Sequence, residues 1–434
     1  MIDNCAVLSA FDSPRLKPTT PSLLLFFVLL FTLSCASPNG DAKRNTHRQL
    51  LVQPLTLWHA LRGTDQENLR ADLDEYERET GERVTSLQLP HNAYANKLQV
   101  AIPRGNGPDL FIGAHDRVGD WAEAELIEPI SFWVDQDRYH RYIPSALEAF
   151  TYQRQLYGLP ISCKALALFY NPKLVEAPDT VEALIDHMRK PKITASQHDS
   201  PSSRIWGLAY PEIDSLYFHA PWLHAFGGLA LKGGVASLNS DPMKESATLI
   251  KGLRDEGLIP PELDGALAST LFRSGRLAYL INGPWFIAEL QDTPRSNWSV
   301  ARLPRLAKTS RELQPYLSVE GVMISSRAKD RERAWHLASY LSSKPLAERR
   351  LKRGELIART DVDRASLSTW QAVFQAQVSA SVPLSNDPKM KALWTPAKRA
   401  LGQTIVYHAS INTALIEAQS AVEKAISEAN DHGR

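Results

Sequence analysis

Three cysteines in 434 residues leave little for a disulfide framework. Catalytic fingerprints are missing too. The chain has no Gly-x-Ser-x-Gly, no His-Glu-x-x-His, no phosphate-cradling Gly-rich loop and no Cys-x-x-Cys. Its twelve histidines are scattered without metal-ligand spacing. No metal, cofactor or enzymatic activity is expected, although a carboxylate pair for glycoside hydrolysis leaves no local motif. Charge is nearly balanced at +1, so no nucleic-acid footprint is implied. No repeat of solenoid length occurs.

Long apolar runs are also scarce. The only one, Leu23 to Leu33, is about eleven residues and too short to cross a bilayer. Preceded by Arg15 and Lys17 and ended by Leu33-Ser34-Cys35, it reads as the core of a signal peptide covering residues 1–34. Thr32-Leu-Ser-Cys35 resembles a bacterial lipobox, with Thr32 where leucine is usual, and this implies acylation at Cys35. A polar tether, 35–53, follows. With Cys5 removed and Cys35 lipidated, Cys163 is left alone, and its apolar strand points to an inert thiol.

What is present is an α/β alternation. Leu55 to Trp58 reads as a buried strand, and Thr64 with Glu67 as a capping box for a helix through Thr80, closed by Gly81. Val84 to Leu89 is the next strand and Asn92 to Ile102 the next helix. Gly105 to Pro108 then turns into a strand at Leu110 to Ile112. The chain turns again at Gly113 and sets His115, Asp116 and Arg117 beyond the strand's carboxyl end, where open α/β sheets bind ligands. A solvated strand-loop-helix corner is the plain alternative. Downstream, Leu156 to Ile161 and Ala165 to Tyr170 read as strands, and Asn171-Pro172 opens a short helix. Asp179 with Glu182 caps another helix. Tyr217 to Phe226 is helical, ending at Gly227-Gly228, and Leu277 to Asn282 and Leu317 to Ser325 are strands. Ser366 to Ala429 reads as almost wholly helical.

Several stretches together carry a resemblance: Gly107-Pro-Asp109, Ala114-His-Asp-Arg117, Tyr157-Gly-Leu-Pro160, Leu166-Ala-Leu-Phe-Tyr-Asn171, Gly227-Gly228, Ile281-Asn-Gly-Pro-Trp285 and Ala392-Leu-Trp394. In this order they resemble the maltose-binding-protein-like extracellular solute receptors of ATP-driven importers, over roughly Leu55 to Ala425. The resemblance implies a two-lobed α/β periplasmic-binding fold of type II with a ligand cleft between the lobes. The first lobe would hold residues 54–162 plus 305–350, and the second 163–304 plus 351–434. It implies a monomeric receptor, anchored to the membrane at Cys35 in the periplasm or at the cell surface. That receptor would deliver a malto-oligosaccharide or similar sugar to ABC-transporter permease subunits.

The implied site holds Trp285, Trp394 and Tyr217 as stacking rings, with Asp116 and Arg117 as a polar pair. Inward packing is the alternative for both tryptophans. Gly113 stands where the family has a stacking tryptophan, and Lys164 where it has a hinge glutamate. Arg62 occupies the first loop. Were Arg62, Arg117 and Lys164 all to face inward, the cleft would be cationic and suit a sugar phosphate, uronide or glycerol phosphodiester.

Overall fold

A computed structural model of the chain describes residues 53–190, 193, 203–261, 263–365 and 367–432. The signal peptide, Cys35, the tether and most of the loop at 198–204 lie outside the described residues.

Two sheets carry the architecture. The first contains β1 (Leu55–His59), β2 (Val84–Gln88), β3 (Leu110–Ala114), β4 (Gly158–Lys164), β9 (Tyr316–Ile324) and β10 (Val382–Pro383). Strand β1 pairs in parallel with both β2 and β3. Strand β9 then runs antiparallel between β3 and β4. The second sheet orders β8 (Ser299–Ala301), β5 (Ala167–Tyr170), β7 (Leu277–Asn282) and β6 (Trp206–Ala209). Among the described residues no strand belongs to both sheets. The short interior strands are apolar on both faces, since Leu57, Leu110, Phe169, Leu280 and Val322 are all buried. Helix-covered sheets require that pattern.

Helix α1 (Gly63–Thr80) covers the first sheet with Leu69, Leu73 and Tyr76 and stops at Gly81, whose φ of 73° suits glycine alone without strain. Its start differs from expectation. Arg62 is the N-cap and Gly63 the first helical residue, so Thr64 sits inside the first turn and the Thr64–Glu67 capping box does not form. The second expected cap is displaced by one residue: Thr180, not Asp179, accepts from Ala183 N at 3.1 Å. Asn171-Pro172 starts no helix. The Asn171 side chain accepts from Lys173 N at 3.0 Å and its carbonyl from Leu174 N, which closes a turn. The C-terminal third is broken by β10, a 3-10 turn at Pro388–Ala392 and a π turn at Gly402–Val406.

The largest correction concerns Gly113. Strand β3 continues through it to Ala114, pairing Gly113 with Gly321 and Ala114 with Glu320. A Cβ on Gly113 would lie 2.9 Å from the Trp121 ring and 3.2 Å from Met323 Cε. The space a tryptophan would need is therefore filled by the buried Trp121. Gly113→Ala is expected to lower stability by about 1–3 kcal/mol through overpacking, read from denaturant midpoints; an unchanged midpoint would show that Trp121 yields freely.

Candidate functional site

A cavity of about 200 Å³ opens between the two sheets' elements. From the first side come Asp65, Asn68 and Asp72 of α1, Ser162 to Lys164 of β4, Glu320 of β9, and Arg350 and Glu355. From the second side come Pro284 and Trp285, which follow β7 in a 3-10 turn.

Trp285 is 44% exposed, unusual for a tryptophan in a folded chain, and its ring is offered to the cavity. Gly283 sets that pose: a Cβ there would collide with the indole, so the ring folds back over bare backbone. An exposed indole with neighbouring hydrogen-bond acceptors suits a ligand having an apolar face and hydroxyl edges.

Lys164 lines the same cavity, but its charge is met there. Its ammonium lies 3.2 Å from Glu320; burial lowers the lysine pKa, but Glu320, with Asp65 and Tyr217 nearby, raises it by more. An irregular register between β9 and β4 at Glu320/Gly321 places that carboxylate beside Ser162, which donates to it at 3.3 Å. Tyr217, on the helix Leu216–Ala225, faces Lys164 and hydrogen-bonds Ser318; burial raises its phenol pKa. Cys163 is buried and its thiol is pushed up to about 12, so it is not a thiolate at neutral pH.

Asp116, Arg117 and Trp394 form a second group. They line a cavity of about 20 Å³ with Asp120, Asp387 and Lys391, room for roughly one water. Arg117 lies 3.7 Å from Asp120, which also takes Lys391 at 2.6 Å. Trp394 is half-buried and begins the helix Trp394–Leu401. Arg62 is exposed at the start of α1 and does not line the larger cavity.

The three basic residues thus do not converge, and the larger cavity is lined by four carboxylates against two cations. By its lining the cavity is richer in acids than in cations. Sequence reading missed Asp65, Asn68, Asp72, Glu320, Arg350 and Glu355. Two signals were available: acids and an amide at helical spacing in α1, and a lone carboxylate in the apolar run Tyr316 to Ile324.

Two sheets with a cleft between them define a two-lobed receptor fold. The chain belongs to the bacterial extracellular solute-binding protein family, which it matches over residues 73–392. It is 29% identical over 349 residues to the maltotriose-binding protein of Pyrococcus abyssi, covering 76% of this chain and 73% of that one. The maltooligosaccharide ABC transporter solute-binding lipoprotein of Streptococcus pneumoniae is 25% identical, covering 81% and 84%. Among solved structures, a cyclo/maltodextrin-binding protein complexed with maltotetraose aligns at a TM-score of 0.76 and 27% identity, over 86% of this chain and 98% of that one. The Staphylococcus aureus extracellular solute-binding protein in complex with maltose aligns at 0.74, again with 27% identity, over 86% and 98%. The family is one of ABC-transporter solute receptors, not enzymes.

Proposed function

We propose that this receptor captures a carbohydrate, a malto-oligosaccharide or similar short glycan, and hands it to an ABC-transporter permease while tethered to the membrane through Cys35. The observation that carries the reading is Trp285, exposed in an interlobe cavity beside carboxylate and amide groups that accept from or donate to hydroxyls. The sugar-binding relatives support it. Trp285 stacks on the sugar, Lys164 and Tyr217 flank it, and Asp116, Arg117 and Trp394 form the second wall when the lobes close. Arg62 is left at the rim. The chain crosses between lobes after Lys164, between Ala301 and Tyr316, and beyond Lys352; hinge bending there closes the cleft. Four carboxylates against two cations disfavour an anionic ligand.

The test is thermal unfolding of the mature protein with malto-oligosaccharides, other disaccharides, uronides and sugar phosphates. A true ligand at about 100 times its Kd adds about 2.7 kcal/mol and raises the midpoint by several degrees. A shift only with anionic sugars would reverse the charge argument, and no shift with any sugar would refute the receptor's carbohydrate assignment. Trp285→Ala is expected to weaken the bound sugar about tenfold, about 1.4 kcal/mol, with little change in stability. Unchanged affinity would remove Trp285 from the site. Lipidation is checked by palmitate labelling, which Cys35→Ala should abolish.

A further inference from the structure

We infer that the interlobe cavity takes an amino sugar, with the ligand's ammonium held between Asp65 and Glu355. This rests on the carbohydrate-receptor reading and names the ligand class for the same cleft. The two cations lining the cavity are already engaged. Lys164 pairs with Glu320. Arg350 donates to the Leu341 carbonyl at 2.6 Å and lies 3.5 Å from Asp72, whose other oxygen is 3.3 Å from Arg353. Asp65 and Glu355 are the carboxylates left over.

They come from different elements yet line the same cavity. Asp65 lies in the first turn of α1, and Glu355 follows the helix Lys344–Lys352. Asn68, one turn along from Asp65, donates to Glu355 at 3.4 Å, which fixes the two carboxyls near each other. Burial, with Asp65 and Asp72 nearby, lifts the Glu355 carboxyl to about 7 despite Arg350 and Arg353. Burial also raises Asp65, against the pull of Lys164. The empty cleft therefore holds two acids with no ion-pair partner among the described residues, and the Glu355 carboxyl is divided between its protonated and ionised forms near neutral pH. A neutral hydroxyl can donate to these groups but gives their ionised forms no counter-charge, and a phosphate or uronate would repel them. An ammonium supplies that counter-charge, draws Glu355 to its ionised form and is held by charge-assisted hydrogen bonds, roughly twice as strong as neutral ones. The face of Trp285 is also attractive to a cation.

The test is calorimetric titration of the mature protein at about pH 7, where an amine of α-amino basicity is mostly protonated and Glu355 is partly ionised. The ligands are a glucosamine disaccharide, its N-acetylated counterpart and maltotriose. The free-amine disaccharide should bind about tenfold or more tightly than the other two. That preference should disappear in Glu355→Gln, or in Asp65→Asn should the first variant fold poorly. Equal or tighter binding of maltotriose or the acetylated sugar would overturn the amine inference and leave the carbohydrate reading standing. An amine preference that survives both substitutions would overturn the placement of the ammonium. A folded protein that binds none of the three would overturn the amine inference, and one that also binds no sugar of the wider panel would overturn both readings.

Discussion

Asp109→Ala is expected to lower the unfolding free energy by about 3–5 kcal/mol, among the largest losses any single substitution in this chain should produce. The Gly-Pro-Asp turn ahead of β3 looks like an entrance to the ligand site, yet its acid faces away from the cleft. Asp109 is 3% exposed. One carboxylate oxygen accepts from Thr56 N at 2.9 Å and from Thr56 Oγ1 at 2.8 Å, and the other from Lys329 N at 2.9 Å. The residue thus ties β1 and β3 to the segment just after β9. Alanine would leave Thr56 N and Lys329 N without partners in a buried region, where each lost bond costs far more than a surface bond returns. Asp109→Asn, which keeps one acceptor oxygen, should lose less. Equilibrium unfolding in urea measures both variants, and an alanine variant within about 1 kcal/mol of the parent would show that water or a neighbour replaces the carboxylate.

Acidification is expected to destabilise the protein steeply below about pH 6.5. Burial holds His219 at about 3 and His224 at about 4. His224 donates from Nδ1 to the Gln314 carbonyl at 2.6 Å, and His219 Nε2 meets Ser246 Oγ at 3.0 Å. The remaining ring nitrogen of each is buried with no partner among the described residues. Both rings therefore fold neutral. Because their folded pKa values lie below the unfolded one, stability is complete above about 6.5 and is lost as pH falls toward the folded values. Each ring costs about 1.4 kcal/mol per pH unit over that window. Glu355 runs the other way: its folded pKa, raised to about 7, returns about 1.4 kcal/mol per unit between pH 7 and about 4.5. That is half the combined histidine loss, so the net slope stays destabilising. His115 and His59, also lowered by burial, deepen it, and Asp65, raised by burial, offsets part of it at the acid end. Urea midpoints at pH 7, 6 and 5 should fall, and fall faster in Glu355→Gln. A midpoint that holds or rises would refute the neutral-histidine account.

The sheets, the α1 boundary at Gly81, the strand Leu277–Asn282 and the family resemblance were legible in the chain because periodicity and turn residues act locally. The site was legible only where a ring stands next to a turn, as at Trp285. Glu320 could not be read as a cleft residue, because a register irregularity against β4 aims it and registers are set by pairing across the sheet. Glu355 is in the cavity only because the helix before it docks on α1 through Asp72. Gly113 misled for the same reason. Whether a glycine leaves an opening depends on what fills the space behind it, and here Trp121 does.

Strand β9 sits between β3 and β4, so β3 is paired on its β1 side alone and β4 lacks its sheet partner until residue 324 exists. His115 accepts from Val319 N through Nδ1 at 3.0 Å, across 204 positions of chain, and donates to the Leu384 carbonyl through Nε2 at 2.7 Å. During synthesis, then, the first lobe stays an open half-sheet until most of the polypeptide has been made. Such late closure is slow by the entropy of the loop that must be shut. For a member of an extracellular receptor family such a delay is useful, because a chain without a closed sheet has little to unfold if it must be threaded through a membrane.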